Sequence, residues 1–220
     1  MIEEIFKKRK HVREYDTSVE ISSELIDSLL RKTWSITPSK NQFMPYKAHV
    51  LGNQHQEYKN SVLNICSSYD DGMSGGGSDR PTNPEFLHMK TCSHMIIFTL
   101  RHEDDPNEEM FKRMLRGRIY EQSSSESLNK FPENAFLELG FFVNMLTGMC
   151  LENGIDISYT RCLSGDTSVW KSAGLVFIED TPMLVLTMGK GIRYRVDIAK
   201  KYGWLDTDLK PEYERIVNFI

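Results

Sequence analysis

Lys7-Lys8-Arg9-Lys10-His11-Val12-Arg13-Glu14-Tyr15-Asp16 and Thr37-Pro38-Ser39-Lys40-Asn41-Gln42-Phe43-Met44-Pro45-Tyr46 stand on either side of one amphipathic helix. The first stretch is a dense cluster of cationic donors. The second is a Pro-bounded loop of hydroxyl and amide side chains leading into a strand. A single intervening helix lets the fold bring the two together. Guanidinium forks match the oxygens of a dianion, and amides read a polar ring edge. The pair reads as a site for a phosphorylated, planar cofactor.

Outward from these stretches the chain alternates helices and short strands. Ile2, Ile5 and Phe6 suggest an opening helix ending near Lys10. Ser22 is placed to cap the next helix, Ile21 and Ile26 to staple it, and Leu25, Ile26, Leu29 and Leu30 to form its apolar face. Residues 48–52 read as a strand, and Tyr58, Val62, Ile65 and Cys66 mark a third helix. Residues 67–84, with the run Gly75-Gly76-Gly77, read as a loop. The run lacks the trailing Gly-Lys-Ser/Thr of a nucleotide-binding loop. Residues 95–100 read as a buried strand and 104–120 as a helix.

Pro132 opens a long helix to Glu152, apolar on more than one face and stopped at Gly154. Such a helix is buried all round or forms a subunit interface. Residues 155–159 and 182–188 read as strands. The tail from Tyr213 ends Ile216-Val217-Asn218-Phe219-Ile220, a strand-like finish suited to docking on a sheet, possibly that of another subunit. The expected fold is α+β, a three-layer α/β/α sandwich around a small mixed sheet, in one domain spanning 1–220.

The bulk numbers narrow the function. A chain of 220 residues with 40% hydrophobic content is long enough for a substantial core. Its net charge of −4 argues against general nucleic-acid binding, so the basic stretch is a local feature. Cys66, Cys92, Cys150 and Cys162 show no C-x-x-C spacing and suit reduced thiols in a cytoplasmic protein. No apolar run approaches the ~20 residues of a membrane span, and the first residues lack a signal-peptide pattern. The six histidines have no metal-binding spacing. No paired carboxylates or Ser-His-Asp set stands out.

Four places, in order, resemble the FMN-dependent nitroreductase family. Arg9 to Asp16 is similar to its opening R-x-S-x-R/K-x-F-D segment. Pro38 to Tyr46 is similar to its P-S-x-x-N-x-Q-P-W loop. The long helix running into Gly154-Ile155-Asp156-Ile157-Ser158-Tyr159 resembles its dimer-core helix and following strand. Residues 182–189, then Arg193-Tyr194-Arg195, resemble its last strand and terminal basic pair. The resemblance covers most of the chain. It departs at His11, where a serine is common, at Met44 in place of glutamine, and at Asn41 and Gln42, which straddle the expected asparagine. Tyr159-Thr160-Arg161-Cys162 replaces a Pro-x-x-Gly segment at the flavin's reactive edge, which bears on substrate range.

The resemblance implies a homodimer with C-terminal strand exchange, two FMN molecules at the interface, and NADH or NADPH as electron donor. The acceptor would be a small electron-poor molecule such as a nitroaromatic or quinone. The chemistry would sit at flavin N5 with no catalytic side chain. Arg9, Arg193 and Arg195 would grip the phosphate, in company with Lys10 and His11, and Arg13 would face the N1/O2 edge. Ser39 and either Asn41 or Gln42 would bond the ring or ribityl chain. Backbone donors of the segment from Tyr159 through Thr160 and Arg161 to Cys162 would approach N5 or O4. Bland alternatives stand beside these roles: cations at a helix C-terminus, turn-capping hydroxyls, and a small buried residue rather than a redox thiol at Cys162. Alternative functions are a flavin-binding or regulatory protein without turnover, or a specialised flavin reaction such as dehalogenation or flavin fragmentation.

Overall fold

Every residue of His94–Leu100 is buried, and so is every residue of Pro182–Gly189. Strands covered on both faces read as continuous apolar runs, and that burial is what a three-layer arrangement produces. The computed structural model of the chain describes residues 2–39, 44–73, 87–101, 132–197 and 216. Its elements are α1 (Ile2–Lys7), β1 (Val12–Tyr15), α2 (Ser23–Ile36), β2 (Tyr46–Leu51), α3 (Gln56–Met73) and α4 (Leu87–Thr91). They continue with β3 (His94–Leu100), α5 (Pro132–Glu152), β4 (Asp156–Thr160), α6 (Thr167–Ser172), β5 (Pro182–Gly189) and β6 (Gly191–Tyr194).

The main sheet has the order β2-β3-β5-β4, and β1 pairs with β6 in a second, two-stranded sheet. Among the described residues every pairing is antiparallel, so the parallel pairing that a mixed sheet requires is not among them. Side chains of β3 alternate between two cores. Ile96, Phe98 and Leu100 join Ile26, Leu29, Leu139, Phe142 and Leu146 under α2 and α5. Met95 and Ile97 join Val62, Cys66, Met89 and Trp170 under α3, α4 and α6. The expected three-layer α+β sandwich is the observed one.

Local signals explain the best-defined elements. Ser22 caps α2, its Oγ accepting from Leu25 N at 3.2 Å, and the residues stapling the entry, Ile21 and Ile26, are both buried. The inner face of α2 is Ile26, Leu29 and Thr33, so Leu25 stays 36% exposed rather than joining the core. Gly154 stops α5 with φ +72°, a conformation that favours glycine.

The structure revises several expectations. α1 ends at Lys7, before Lys10, because Lys8 N and Arg9 N turn back to Ile5 O and Phe6 O. α3 continues to Met73, so residues 67–73 are helical; the buried face of Val62, Ile65 and Cys66 carries the helix onward. The window Ala135–Glu152 has a mean hydropathy of 1.3 and is apolar enough over its length to cross a membrane, contrary to the sequence reading. Here one side of that helix packs in the core. Leu137 and Phe141 lie outside it, 58% and 45% exposed, so α5 is not buried all round. β1, β6 and α4 were not expected as elements. Of the tail only Ile216 is described, so the terminal strand, the loop centred on the glycine run and the 104–120 helix lie outside the described residues.

Candidate cofactor site

The two-stranded sheet assembles the site from both ends of the chain. β1 follows the basic N-terminal stretch, and β6 follows the last core strand. Register pairs Val12 with Tyr194 and Glu14 with Arg193, and Arg195 N donates to His11 O at 2.8 Å. Tyr15 anchors this sheet to the main one: its hydroxyl donates to Thr187 O at 2.8 Å and its backbone N–H to Thr91 Oγ1 at 3.0 Å. Asp156 Oδ2 accepts from Gly191 N at 2.9 Å, which ties β6 to the start of β4.

His11 is the centre of the cluster. Arg13, only 6% exposed, donates from Nη1 to His11 Nε2 at 2.9 Å, which leaves the ring proton on Nδ1. Burial, then the positive fields of Arg13, His88, Arg195 and Arg9, hold the His11 pKa down to about 3. The imidazole is therefore neutral at physiological pH. Each of the four neighbours comes from a different place: the turn after α1, β1, α4 and the residue after β6. His88 is buried and was missed by the sequence reading, because nothing in its spacing relates it to His11.

Tyr159 closes one side. The Arg9 guanidinium donates to the Tyr159 hydroxyl and lies with its carbon 4.9 Å from the ring centroid, and the His11 and Tyr159 rings are 6.2 Å apart. Thr160 ends β4, and its Oγ1 accepts from Cys162 N at 3.3 Å. Arg161 is exposed, its guanidinium 4.2 Å over the Phe136 ring. Cys162 is half-buried. The other three cysteines are buried and all four are free thiols; burial raises the Cys92 and Cys150 pKa values to about 12. Arg9, Tyr159 and Arg161 line a cleft of about 400 Å³ against α5 and the start of β5.

Other expected residues sit differently. Lys10 lies 4.8 Å over the Tyr194 ring. Arg193 Nε is 3.2 Å from Glu14 Oε2, within ion-pair reach but outside hydrogen-bond geometry. Ser39 holds the loop: its Oγ donates to Glu138 Oε2 at 2.5 Å and accepts from Met44 N at 2.9 Å. Met44 has φ +47°, an uncommon conformation for a side chain of its size, and its carbonyl accepts from Arg101 Nε and Tyr46 N. Asn41 and Gln42 lie outside the described residues. No cluster of metal-ligating side chains occurs among the described residues.

The donor set fits a phosphate. Buried Nη2 of Arg193 and Nε of Arg195 have no hydrogen-bond partner among the described residues. Buried donors left in that state are costly, and an anion would satisfy them.

No family profile matches the chain, and no curated protein matches it. Solved structures do. A Staphylococcus epidermidis protein provisionally named an NAD(P)H:FMN oxidoreductase superposes with a TM-score of 0.70 at 15% identity, covering 100% of this chain and 96% of its own. An Exiguobacterium sibiricum protein, provisionally named a nitroreductase and solved in complex with FMN, gives 0.70 at 16%, covering 100% and 97%. CLA-ER, an enone reductase of gut-bacterial fatty acid saturation, gives 0.62 at 12%, covering 91% and 95%. Identity this low speaks for the architecture alone: the chain has the nitroreductase-like fold.

Proposed function

We propose that this protein is an FMN-dependent oxidoreductase that passes electrons from NADH or NADPH to a small electron-poor acceptor, such as a nitroaromatic or quinone. The observation that carries the reading is the cationic surround of His11. Arg9, Arg13, His88 and Arg195 converge on a half-buried imidazole, and the field of each disfavours its protonation. Such a site favours an anion. The solved relatives named for FMN and nitroreductase chemistry share this architecture.

Arg9 and Arg195 would hold the FMN phosphate, joined by Arg193 through its buried Nη2. His11 offers its Nδ1 proton, and Arg13 is the cation for the N1/O2 edge, where positive charge favours the reduced ring. Tyr159 and Arg161 line the cleft, and backbone N–H groups of their segment would approach N5 or O4. Bound FMN would supply hydride acceptance and donation at N5. The apolar floor of the cleft would exclude water and leave room for one planar molecule at a time. The exposed Leu137 and Phe141 on α5 support a homodimer joined along that helix. Free cysteines suit a reducing cytoplasm.

Met44 and Arg161 favour a second reading, a flavin binder without reductase turnover or with a specialised flavin reaction. Both stand at departures from the resembled motifs, one in an unusual backbone conformation. One experiment separates the readings. Purified protein should carry a flavin that comigrates with FMN, and NADH or NADPH should bleach it anaerobically. Bound but unbleached flavin would favour the second reading. No binding of micromolar FMN would remove both.

A further inference from the structure

The cleft beside the flavin-binding residues has an unbalanced lining. Its floor is apolar, built from Leu139, Val143 and Met183. Two guanidiniums stand in its wall, Arg9 and Arg161, and no carboxylate lines it among the described residues. Arg9 is engaged with Tyr159 and belongs to the cationic cluster around His11. Arg161 is different. It is exposed, rests on the Phe136 ring, and has no carboxylate partner among the described residues. The Thr147 hydroxyl is already committed to Val143 O at 2.7 Å, so it offers the cleft little. A ligand that fills this space meets an apolar floor, two aromatic rings, the neutral amide of Asn144 and one cationic fork not engaged by a carboxylate among the described residues.

We propose that Arg161 is a specificity-determining residue, and that the acceptor is a small planar molecule with a carboxylate on its rim. The volume, about 400 Å³, lies at the small end of ligand pockets and suits one substituted ring. The planar body lies on the apolar floor, and the carboxylate meets the Arg161 guanidinium through paired N–H···O bonds. Stacking on Phe136 limits the motion of the guanidinium, so less is lost when the ligand fixes it. A neutral ring of the same shape would take the floor but leave the cation unanswered. The proposal rests on the flavin reading, because that reading makes this cleft the acceptor's place.

The test is a binding measurement on FMN-loaded, oxidised protein without turnover. Calorimetry gives the dissociation constants of 4-nitrobenzoate and 4-nitrobenzyl alcohol for the wild type, Arg161→Gln and Arg161→Lys. The wild type should prefer the benzoate by about tenfold or more, as expected for one charged hydrogen-bonding partner. Arg161→Gln should remove that preference and Arg161→Lys should retain part of it. Equal binding of the two compounds by the wild type would overturn the proposal, as would a glutamine variant that keeps the preference. If Arg161→Gln instead raises only the KM for NADH or NADPH, the residue reads the donor, and the proposal also fails. The same titration without added flavin covers a protein that does not load FMN. A protein that discriminates but is not bleached by nicotinamide loses the reductase reading and keeps the Arg161 assignment. One that is bleached without discriminating loses only the assignment.

Discussion

The ring of Tyr15 lies against the backbone of Gly189, so closely that a β-carbon on Gly189 would stand 2.6 Å from Tyr15 Cδ1. Tyr15 is 1% exposed and its hydroxyl is held by Thr187, so the ring cannot swing away. Through this contact the strand carrying Arg13 is seated on the last core strand. Gly189→Ala should lower the unfolding free energy by about 1–3 kcal/mol, the usual range for overpacking. It should also weaken FMN binding, because β1 must shift. Urea denaturation and flavin titration check both, and a fully stable alanine variant would contradict the contact.

Lys59 is buried, and its Nζ donates to Cys92 O at 3.0 Å and Ser93 O at 2.8 Å, at the entrance to β3. Burial lowers its pKa. Lys59→Met keeps the volume but strands two carbonyls, each costing about 1–3 kcal/mol when left unsatisfied. The expected outcome is a clear drop in denaturation midpoint with an unchanged m-value. A midpoint equal to that of the wild type would show that other groups take over these carbonyls.

Acid should destabilise the fold partly through His11. Its folded-state pKa of about 3 lies below the ordinary 6.5. Between these values the unfolded chain binds a proton that the folded one refuses, so stability falls as pH drops from about 6.5 toward 3. Above that window His11 adds no slope. His94, also lowered by burial, acts in the same sense. His11→Gln should flatten the decline between about pH 7 and about pH 5. Identical slopes in variant and wild type would show that His11 is not held neutral.

Of the four thiols, only Cys162 is not fully buried. Burial raises the pKa values of Cys66, Cys92 and Cys150, which keeps them as unreactive thiols. An aromatic disulfide reagent should titrate no more than one thiol in the native protein and four after denaturation. Cys162→Ser should abolish the native reaction. A second fast-reacting thiol in the native state would show that one of the cores opens readily.

Arg9→Ala should weaken FMN binding by about 1.5–3 kcal/mol, the usual contribution of a charged hydrogen bond. Arg31, paired with Asp27 on the exposed side of α2, is the control. Arg31→Ala should leave flavin affinity unchanged. Equal losses in the two variants would take Arg9 out of the phosphate site.

Much of the architecture was legible because it is periodic. The 21-residue run from Pro132, the apolar strand before Leu100 and the cap at Ser22 each carry a local signal strong enough to name the element. β1 was hidden because Arg13 and Glu14 interrupt any alternation, and its pairing with β6 depends on residues at the far end of the chain. The end of α3 was misread for a similar reason. Residues 67–73 look polar, but the buried face of the preceding turns extends the helix.

The sequence by itself determined a three-layer α+β chain with an anion-seeking N-terminal segment, because periodicity, caps and charge clusters are local properties. Only the tertiary structure decided which cations meet. It brought His88 and Arg195 to His11, turned Arg193 toward Glu14, and set Arg161 on Phe136 beside a cleft with no acidic lining among the described residues. These pairings join residues far apart along the chain. They arise from strand register and from the packing of separate helices on one sheet, which no local pattern encodes.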